Sequence, residues 1–182
     1  MVTALTLAAS PITTLQAMPQ TEQKQKQFEE LVQTWSADLY RFAYWLGGEK
    51  ELAEDLVQET FLRAWKSIDQ LKDQKAVKSW LFTILRREHA RKFERKVIPI
   101  NQEHEPDTTA GKTTHDTSTE AFTLHRALAE LAPEYREPLI LQVIGGYNMD
   151  EIANQLSLTK GAVMTRLFRA RNRLRSQLED GS

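Results

Sequence analysis

The spacing of apolar residues is the feature that most constrains how this chain folds. In successive segments these residues recur every three or four positions, which is the period of an α-helix with one buried face. The segments are 28–46, 51–68, 79–96, 121–131, 133–144, 149–156 and 158–178. With 7 glycines and 6 prolines in 182 residues, the chain is also poor in turn-forming residues. The sequence therefore predicts an all-α fold.

Composition divides the chain into two predicted helical domains, residues 24–96 and 121–178. The stretch 97–120 has no apolar period and is rich in Thr, Asp, Glu and Pro, which predicts a flexible linker. Residues 1–23 lack the basic start of a secretory signal and are predicted to be a disordered extension. No run approaches the roughly 18 apolar residues of a membrane span, and cysteine is absent. We therefore expect a cytoplasmic protein without membrane insertion.

Charge is segregated along the chain, although the net charge is only −1. Residues 22–70 carry ten acids against six bases, whereas residues 79–96 carry six bases against two acids. The stretch 158–178 has six bases and no acid. Two basic segments on an otherwise acidic chain suggest two contacts with a polyanion and a separate surface for another partner.

The last two predicted helices have the pattern of a helix-turn-helix. Asn148 followed by Glu151 predicts the start of the first helix, and only SLTK (157–160) connects it to the second. On the second helix the predicted buried stripe is Val163, Leu167, Ala170, Leu174 and Leu178, and the opposite side carries Thr165, Phe168, Arg169 and Asn172. A solvated helix would account for the charges alone. An exposed phenylalanine among arginines instead favours a helix that enters the major groove of DNA.

Four motifs stand along the chain: AEDLVQETFLRAW (53–65), SWLFTILR (79–86), LAPEYREPLIL (131–141) and GYNMDEIANQLSLTKGAVMTRLFRAR (146–171). In this order and at this spacing they resemble the extracytoplasmic-function (ECF) class of bacterial RNA polymerase sigma factors. The resemblance covers residues 24–178 and implies a promoter-specificity subunit with two folded domains, called region 2 and region 4. It implies no catalytic activity and no cofactor. The partners that it implies are core RNA polymerase, promoter DNA and an anti-sigma factor.

For region 2, the resemblance implies that core RNA polymerase docks on Asp55, Gln58 and Glu59, which the helical projection groups away from the buried face. It also implies that the −10 promoter element is read by the loop before SWL and by the helix that follows. The matching residues are Asp73, Lys75, Val77, Lys78, Arg87 and Arg91. This set departs from the family pattern, because an aromatic residue is common in place of Val77 and Asn and Asp are usual in place of the two arginines.

For region 4, the resemblance implies that the last helix reads the −35 element. The matching residues are Thr159, Lys160, Met164, Thr165, Arg166, Phe168, Arg169, Arg171 and Arg173. Arginine can bind guanine edges with two hydrogen bonds, and Thr and Phe can contact a thymine methyl group. We expect Arg169 to contact bases, and Arg166, Arg171 and Arg173 to lie toward phosphates.

Three other classes of protein were weighed against this reading. A ligand-sensing regulator would need a sensor domain, and residues 22–96 offer neither a pocket nor a framework of strands. An enzyme or metalloprotein is disfavoured because His89, His104, His115 and His125 lack metal-ligand spacing and no phosphate-binding glycine loop occurs. A polymerase-binding module such as an anti-sigma factor does not explain two basic segments.

Overall fold

The computed structural model describes residues 20–71, 73–97 and 119–180, and every regular element in these ranges is helical. The helices are α1 Gln20–Gly47, α2 Lys50–Ser67, α3 Val77–Val97, α4 Thr119–Glu130, α5 Pro133–Val143, α6 Met149–Leu156 and α7 Lys160–Asp180. Two short 3₁₀ turns, Ile68–Gln70 and Gln74–Ala76, join α2 to α3. The predicted all-α fold is confirmed.

The helices α1, α2 and α3 form an N-terminal unit around an apolar core. Its fully buried large side chains are Leu39, Phe42, Leu56, Ile68, Leu81, Phe82 and Leu85. The rings of Phe42 and Phe82 lie 4.8 Å apart between centroids, which joins α1 to α3. Thr60 is also buried here, and its hydroxyl donates a hydrogen bond to the Leu56 carbonyl at 2.6 Å. The buried hydroxyl of Thr60 is therefore paired, as buried polar groups usually are.

Helix α1 begins at Gln20, ahead of the apolar pattern that starts at Phe28. Residues 20–23, predicted as part of a disordered extension, are therefore helical, and residues 1–19 lie outside the described chain. Lys24, in the next turn of the helix, contacts the end of α2 and the 3₁₀ turn Ile68–Gln70 that follows it. Lys24 forms an ion pair with Asp69, and its Nζ lies 5.1 Å from the ring centroid of Trp65. These contacts hold the first turns of α1 against the bundle.

The helices α4 to α7 form a C-terminal unit whose core lies between α5, α6 and α7. Its most buried side chains are Ile140, Leu141, Ile152, Val163, Leu167 and Ala170. Pro133 begins α5, where its missing N–H costs nothing. Gly145 follows α5 because a Cβ there would lie 2.7 Å from the Leu141 carbonyl oxygen. The sharp exit from α5 therefore requires glycine.

The first helix of the helix-turn-helix, α6, has the predicted capping residues at its start and a strained residue at its end. The Asn148 side chain accepts hydrogen bonds from the backbone N–H groups of Asp150 and Glu151, and the Glu151 carboxylate accepts one from the Asn148 N–H at 2.7 Å. This capping box confirms the predicted start of α6. Ser157 ends the helix with φ of 55°, a conformation that usually favours glycine.

The two units pack against each other. Helix α1 contacts α4 and α5, and α3 contacts α6 through side-chain hydrogen bonds. On one side of this boundary the His125 ring lies 4.8 Å from the Tyr44 ring and 5.3 Å from the Trp45 ring. The predicted linker joins the units, but its residues 98–118 lie outside the described ranges.

Candidate nucleic-acid interface

Helix α7 presents one buried and one exposed face, as its sequence predicts. Val163, Leu167 and Ala170 are buried on the C-terminal unit. On the other side, the side chains of Met164 and Phe168 are 52% and 65% exposed. Isolated exposed apolar residues are common on proteins, but these two lie one turn apart on a helix rich in cations. The pattern is typical of a surface that contacts both base edges and phosphates.

The polar residues of this exposed face are oriented for contact with a partner. Arg169 is exposed, and no carboxylate in the described part of the chain lies within ion-pair distance of it. The hydroxyl of Thr165 donates to the Gly161 carbonyl at 2.9 Å. Its methyl group is therefore the part of the side chain left for an apolar contact. At the start of α7, Thr159 Oγ1 accepts a hydrogen bond from the Ala162 N–H at 3.2 Å.

The cations beside the exposed face of α7 differ in whether they already contact another side chain of the protein. Arg166 is half-buried, whereas Lys160 forms an ion pair with Asp150 at 2.9 Å. Arg171 donates a hydrogen bond to the Gln142 side chain, and the Arg173 guanidinium lies 4.4 Å from the centroid of the Tyr135 ring. The three exposed groups, Lys160, Arg171 and Arg173, must therefore leave a partner within the chain before they can bind a phosphate.

The six candidate residues for the −10 element do not share one surface. Asp73 Oδ1 accepts a hydrogen bond from the Lys75 N–H at 2.9 Å and shapes the turn before α3. Val77 and Lys78 are half-buried, and Lys78 Nζ lies 4.6 Å from the Tyr147 ring centroid. Helix α3 therefore turns its Lys78 side toward the C-terminal unit.

The two arginines of that set lie elsewhere on α3. Nine residues separate Lys78 from Arg87, which places them on opposite sides of a helix that turns about 100° per residue. Arg87 is exposed, and Arg91 forms an ion pair with Glu88 at 3.1 Å. The predicted −10 residues thus form two groups. Lys78 lies beside the C-terminal unit, whereas Arg87 and Arg91 lie on the opposite side of α3, which we call its outer side.

The predicted polymerase-binding residues lie together on α2. Asp55 and Gln58 are exposed, and Glu59 is partly exposed. Asp55 pairs with Lys92 at 3.0 Å, and Glu59 pairs with Arg63 at 3.0 Å. Because Lys92 belongs to α3, the acidic face of α2 is held in position by a neighbouring helix.

One residue of this face was missed by the sequence reasoning. Leu62 lies one helical turn after Gln58 and its side chain is 57% exposed. This exposed leucine adds apolar area to the acidic face, and a partner that docks on the face would remove that area from water. The signal was present in the sequence, because Leu62 falls outside the buried stripe of α2.

The boundary between the two units contains a buried titratable group. His89 is buried in α3, and its pKa is lowered to about 4 by the loss of solvent and, secondarily, by the positive charge of Arg136 on α5. Burial likewise lowers the pKa of Arg136, while Glu137 raises it. Its Nη1 donates a hydrogen bond to the Ala129 carbonyl at 3.3 Å. His89 is therefore neutral near pH 7.

An apolar groove of about 820 Å³ lies between the C-terminal unit and α1. Its lining includes Trp45, Leu124, Leu128, Leu139, Val143 and Leu174. Arg171, Arg175 and Glu179 form part of its edge. A groove of this character suits the apolar face of a helix.

Two negative findings concern the described ranges 20–71, 73–97 and 119–180. No helix there is both long and apolar enough to cross a membrane. The same ranges contain no group of three or more side chains arranged to hold a metal ion.

Comparison with known proteins assigns both units. Residues 31–97 match the family model of sigma-70 region 2, and residues 121–174 match that of sigma-70 region 4. The chain is 32% identical to the ECF RNA polymerase sigma factor SigE of Mycolicibacterium smegmatis over 83% of its own length and 61% of that protein. It is 31% identical to the ECF RNA polymerase sigma factor SigM of Bacillus subtilis over 84% of its own length and 96% of that protein.

A solved structure agrees with this assignment. The sigma factor RpoE of Bartonella quintana, in complex with the anti-sigma factor NepR, has 31% sequence identity and a TM-score of 0.71 to this chain. The match covers 85% of this chain and 98% of that one. The N-terminal unit is thus a sigma region 2 and the C-terminal unit a sigma region 4. The chain belongs to the ECF sigma factors, which are transcription initiation factors and not enzymes.

Proposed function

We propose that this chain binds core RNA polymerase through α2 and directs transcription from promoters whose −10 and −35 elements it reads with α3 and α7. The observation that carries the proposal is the exposed face of α7. There Phe168 and Met164 are exposed beside Arg169, which has no ion-pair partner among the described residues. This combination suits a major groove lined with methyl groups and acceptors and flanked by phosphates.

On α2, the proposed polymerase contact consists of Asp55, Gln58 and Glu59, with Leu62 one helical turn after Gln58. The acidic residues supply charge complementarity, which mainly sets specificity and association rate. The exposed leucine supplies apolar area that is removed from water on binding. This division of roles is typical of interfaces that form and dissociate repeatedly.

On α3 and the 3₁₀ turn before it, we propose that Lys75, Val77 and Lys78 face the −10 element and that Arg87 and Arg91 contact the phosphate backbone beside it. Asp73 positions this turn through its hydrogen bond to the Lys75 N–H. Two arginines on the outer side of α3 would add sequence-independent affinity that weakens as salt rises. The protein would act in the cytoplasm, where its polymerase partner is found.

The test is run-off transcription with the purified chain and purified core RNA polymerase on a genomic DNA library. We expect transcripts that begin at a limited set of sites and share two sequence elements. Core polymerase alone provides the background. Transcripts identical to that background would show that the chain does not direct promoter selection.

We further propose that an anti-sigma factor covers the apolar groove with an amphipathic helix. The relative from Bartonella quintana supports this, because its structure is that of a complex with an anti-sigma factor. The groove's apolar lining and the arginines at its edge favour a helix with acidic flanks. A purified partner should inhibit run-off transcription by the natural chain. It should fail to inhibit a Val143→Asp variant, because Val143 is an exposed part of the lining.

A further inference from the structure

Three side chains give part of the exposed face of α7 an apolar character. Met164 and Phe168 are 52% and 65% exposed. The Thr165 hydroxyl donates to the Gly161 carbonyl at 2.9 Å, so its hydrogen is already used within the helix. The methyl group of Thr165 remains for contact with a partner. This part of the face therefore offers apolar contact and no free side-chain hydrogen-bond donor.

Met164 and Phe168 form a short apolar ridge along α7. Because they are four positions apart, they lie about 40° apart around the helix axis and about 6 Å apart along it. Gly161 lies on the same side of the helix, one turn before Met164. A Cβ at Gly161 would have no contact within 4 Å elsewhere in the described chain. Packing therefore does not require glycine there, and its missing side chain leaves the ridge open to a partner.

The charges around the ridge indicate what kind of partner covers it. Residues 158–178 hold six bases and no acid. Arg169 lies on the same exposed face, and no carboxylate in the described ranges is within ion-pair distance of it. An apolar ridge surrounded by cations fits a DNA duplex, which brings phosphates on both sides of a groove.

The major groove of DNA offers few groups that an apolar side chain can contact favourably. The 5-methyl group of thymine projects into it, whereas the remaining groups that identify a base pair there are hydrogen-bond donors and acceptors. A thioether or a phenyl ring cannot pair with those polar groups and would remove them from water. Successive base pairs are about 3.4 Å apart along the duplex. The ridge is therefore long enough to contact methyl groups on two of about three successive base pairs.

We propose that Met164 and Phe168 recognise the 5-methyl groups of pyrimidines in the −35 element, whether the pyrimidine is thymine or 5-methylcytosine. The inference rests on the proposed function, because it assumes that α7 lies in the major groove. Both bases carry the methyl group on the same ring carbon. A surface without a free donor does not test for the carbonyl oxygen that distinguishes thymine. Methylation of a cytosine in the element therefore strengthens binding.

The first experiment separates the methyl group from the base pair that carries it. Fluorescence anisotropy measures binding of the full-length chain to the −35 duplex found by run-off transcription. Each pyrimidine position holds in turn uracil, thymine, cytosine or 5-methylcytosine, opposite its complementary purine. We expect the methyl group to raise affinity about threefold to fourfold at contacted positions in both pairs of bases, the value for removing one methyl group from water. Equal affinity within either pair at every position would overturn the proposal.

The second experiment assigns the effect to the ridge. A methyl group also changes the shape and stiffness of a duplex, and binding can respond to these properties without any contact. We expect Met164→Ala and Phe168→Ala each to lose the methyl effect at one position and keep it at the other. Phe93→Ala is the matched control, because it removes an exposed phenylalanine from the N-terminal unit, and it should keep both effects. Both effects retained in both ridge variants would show that the ridge does not read the methyl group.

The third experiment uses transcription to distinguish failure of the methyl recognition from failure of the proposed function. With core RNA polymerase and a limiting amount of the natural chain, uracil at both contacted positions should reduce run-off transcripts about tenfold relative to thymine. Equal transcription from the two promoters would refute the methyl recognition alone. Absence of promoter-dependent transcription from the thymine promoter would instead refute the proposed function and, with it, the methyl recognition.

Discussion

The proposed DNA-binding surfaces of the two units differ in how many of their side chains already contact other residues in the free protein. On the C-terminal unit, Met164, Phe168 and Arg169 lie in solvent, and no carboxylate of the described chain pairs with Arg169. On the N-terminal unit, Lys78 lies over an aromatic ring of the other unit, and Arg91 is paired with Glu88. The base-facing residues of α7 are ready for a partner, whereas Lys78 and Arg91 of α3 must exchange existing contacts for new ones.

The difference has consequences for specificity. The base-facing residues Met164, Phe168 and Arg169 lose only water on binding, so their contacts with bases appear directly in the affinity for duplex DNA. A surface that must first give up contacts binds weakly until another partner opens it, because the apparent affinity is reduced by the fraction of molecules that are competent. The free protein should therefore recognise −35 duplexes better than −10 DNA.

The largest effect should come from reversing charge on the α2 face. Glu59→Lys places a cation beside Arg63, the present partner of Glu59, and removes a proposed acidic contact for polymerase. We expect co-purification with core RNA polymerase to be lost while the helical circular-dichroism spectrum stays unchanged. Glu134→Lys makes the same charge change on an exposed position of the C-terminal unit and should bind normally. Retained co-purification of Glu59→Lys would remove α2 from the interface.

A second effect is a pH dependence of stability that originates at the boundary of the two units. The pKa of His89 is about 4 in the folded chain against 6.5 for an exposed histidine, so the unfolded chain binds more protons between these values. The free energy of unfolding should therefore fall as pH drops from about 7 to 4, by up to about 3 kcal/mol.

Denaturant unfolding of the natural chain and of His89→Gln at several pH values checks this. Since the variant lacks the titrating ring, its stability should depend less on pH over this range. Parallel curves for the two proteins would show that His89 is not the group responsible.

Some of this organisation could be predicted from the sequence because it is local. The helical period identified buried residues such as Phe42 and Val163, and the Asn148 to Glu151 spacing predicted a capping box that the structure contains. In each case the relevant partners lie within a few residues along the chain. The assignment of the two units to regions 2 and 4 followed instead from the resemblance of four sequence motifs to the ECF class.

The contact between the units could not be predicted in this way. Gln155 is a polar residue on a short amphipathic helix, so its sequence context indicates solvent, although its bonding partners are 69 to 76 residues away. Arg86 is one of several cations at the end of a basic motif, and nothing local marks it as the one that becomes largely buried. Long-range pairs of polar residues leave no periodic signal.

A smaller effect should separate two arginines of α7. Arg169→Ala should remove a base contact worth about 1–3 kcal/mol and relax the preference at one −35 position. Arg173→Ala should weaken binding to all sequences about equally and lower the salt slope by about one, because a phosphate contact carries no base information. Since Arg173 now lies over Tyr135, its gain from the phosphate is reduced by the contact that it gives up.

Fluorescence anisotropy of the full-length chain on matched and singly substituted −35 duplexes, across a salt series, checks both variants. The base positions are those found by run-off transcription. If both variants lost affinity uniformly, with no position relaxed, α7 would contact only the DNA backbone. The exposed face of α7 would then not be a surface that recognises bases, and its exposure in the free protein would not explain specificity for the −35 element.

The smallest effect should follow from reordering the segment that joins the units. If residues 103–118 only tether them, shuffling their order should leave transcription within about twofold, because closure of a chain segment depends on its length more than on its sequence. Deleting residues 105–114 is the matched contrast, since it shortens the reach of the tether by about half and should prevent simultaneous contact with both elements. Run-off transcription measures both variants, and co-purification with core polymerase confirms that each still binds. A shuffled chain that bound polymerase but no longer transcribed would mean that this segment makes specific contacts of its own.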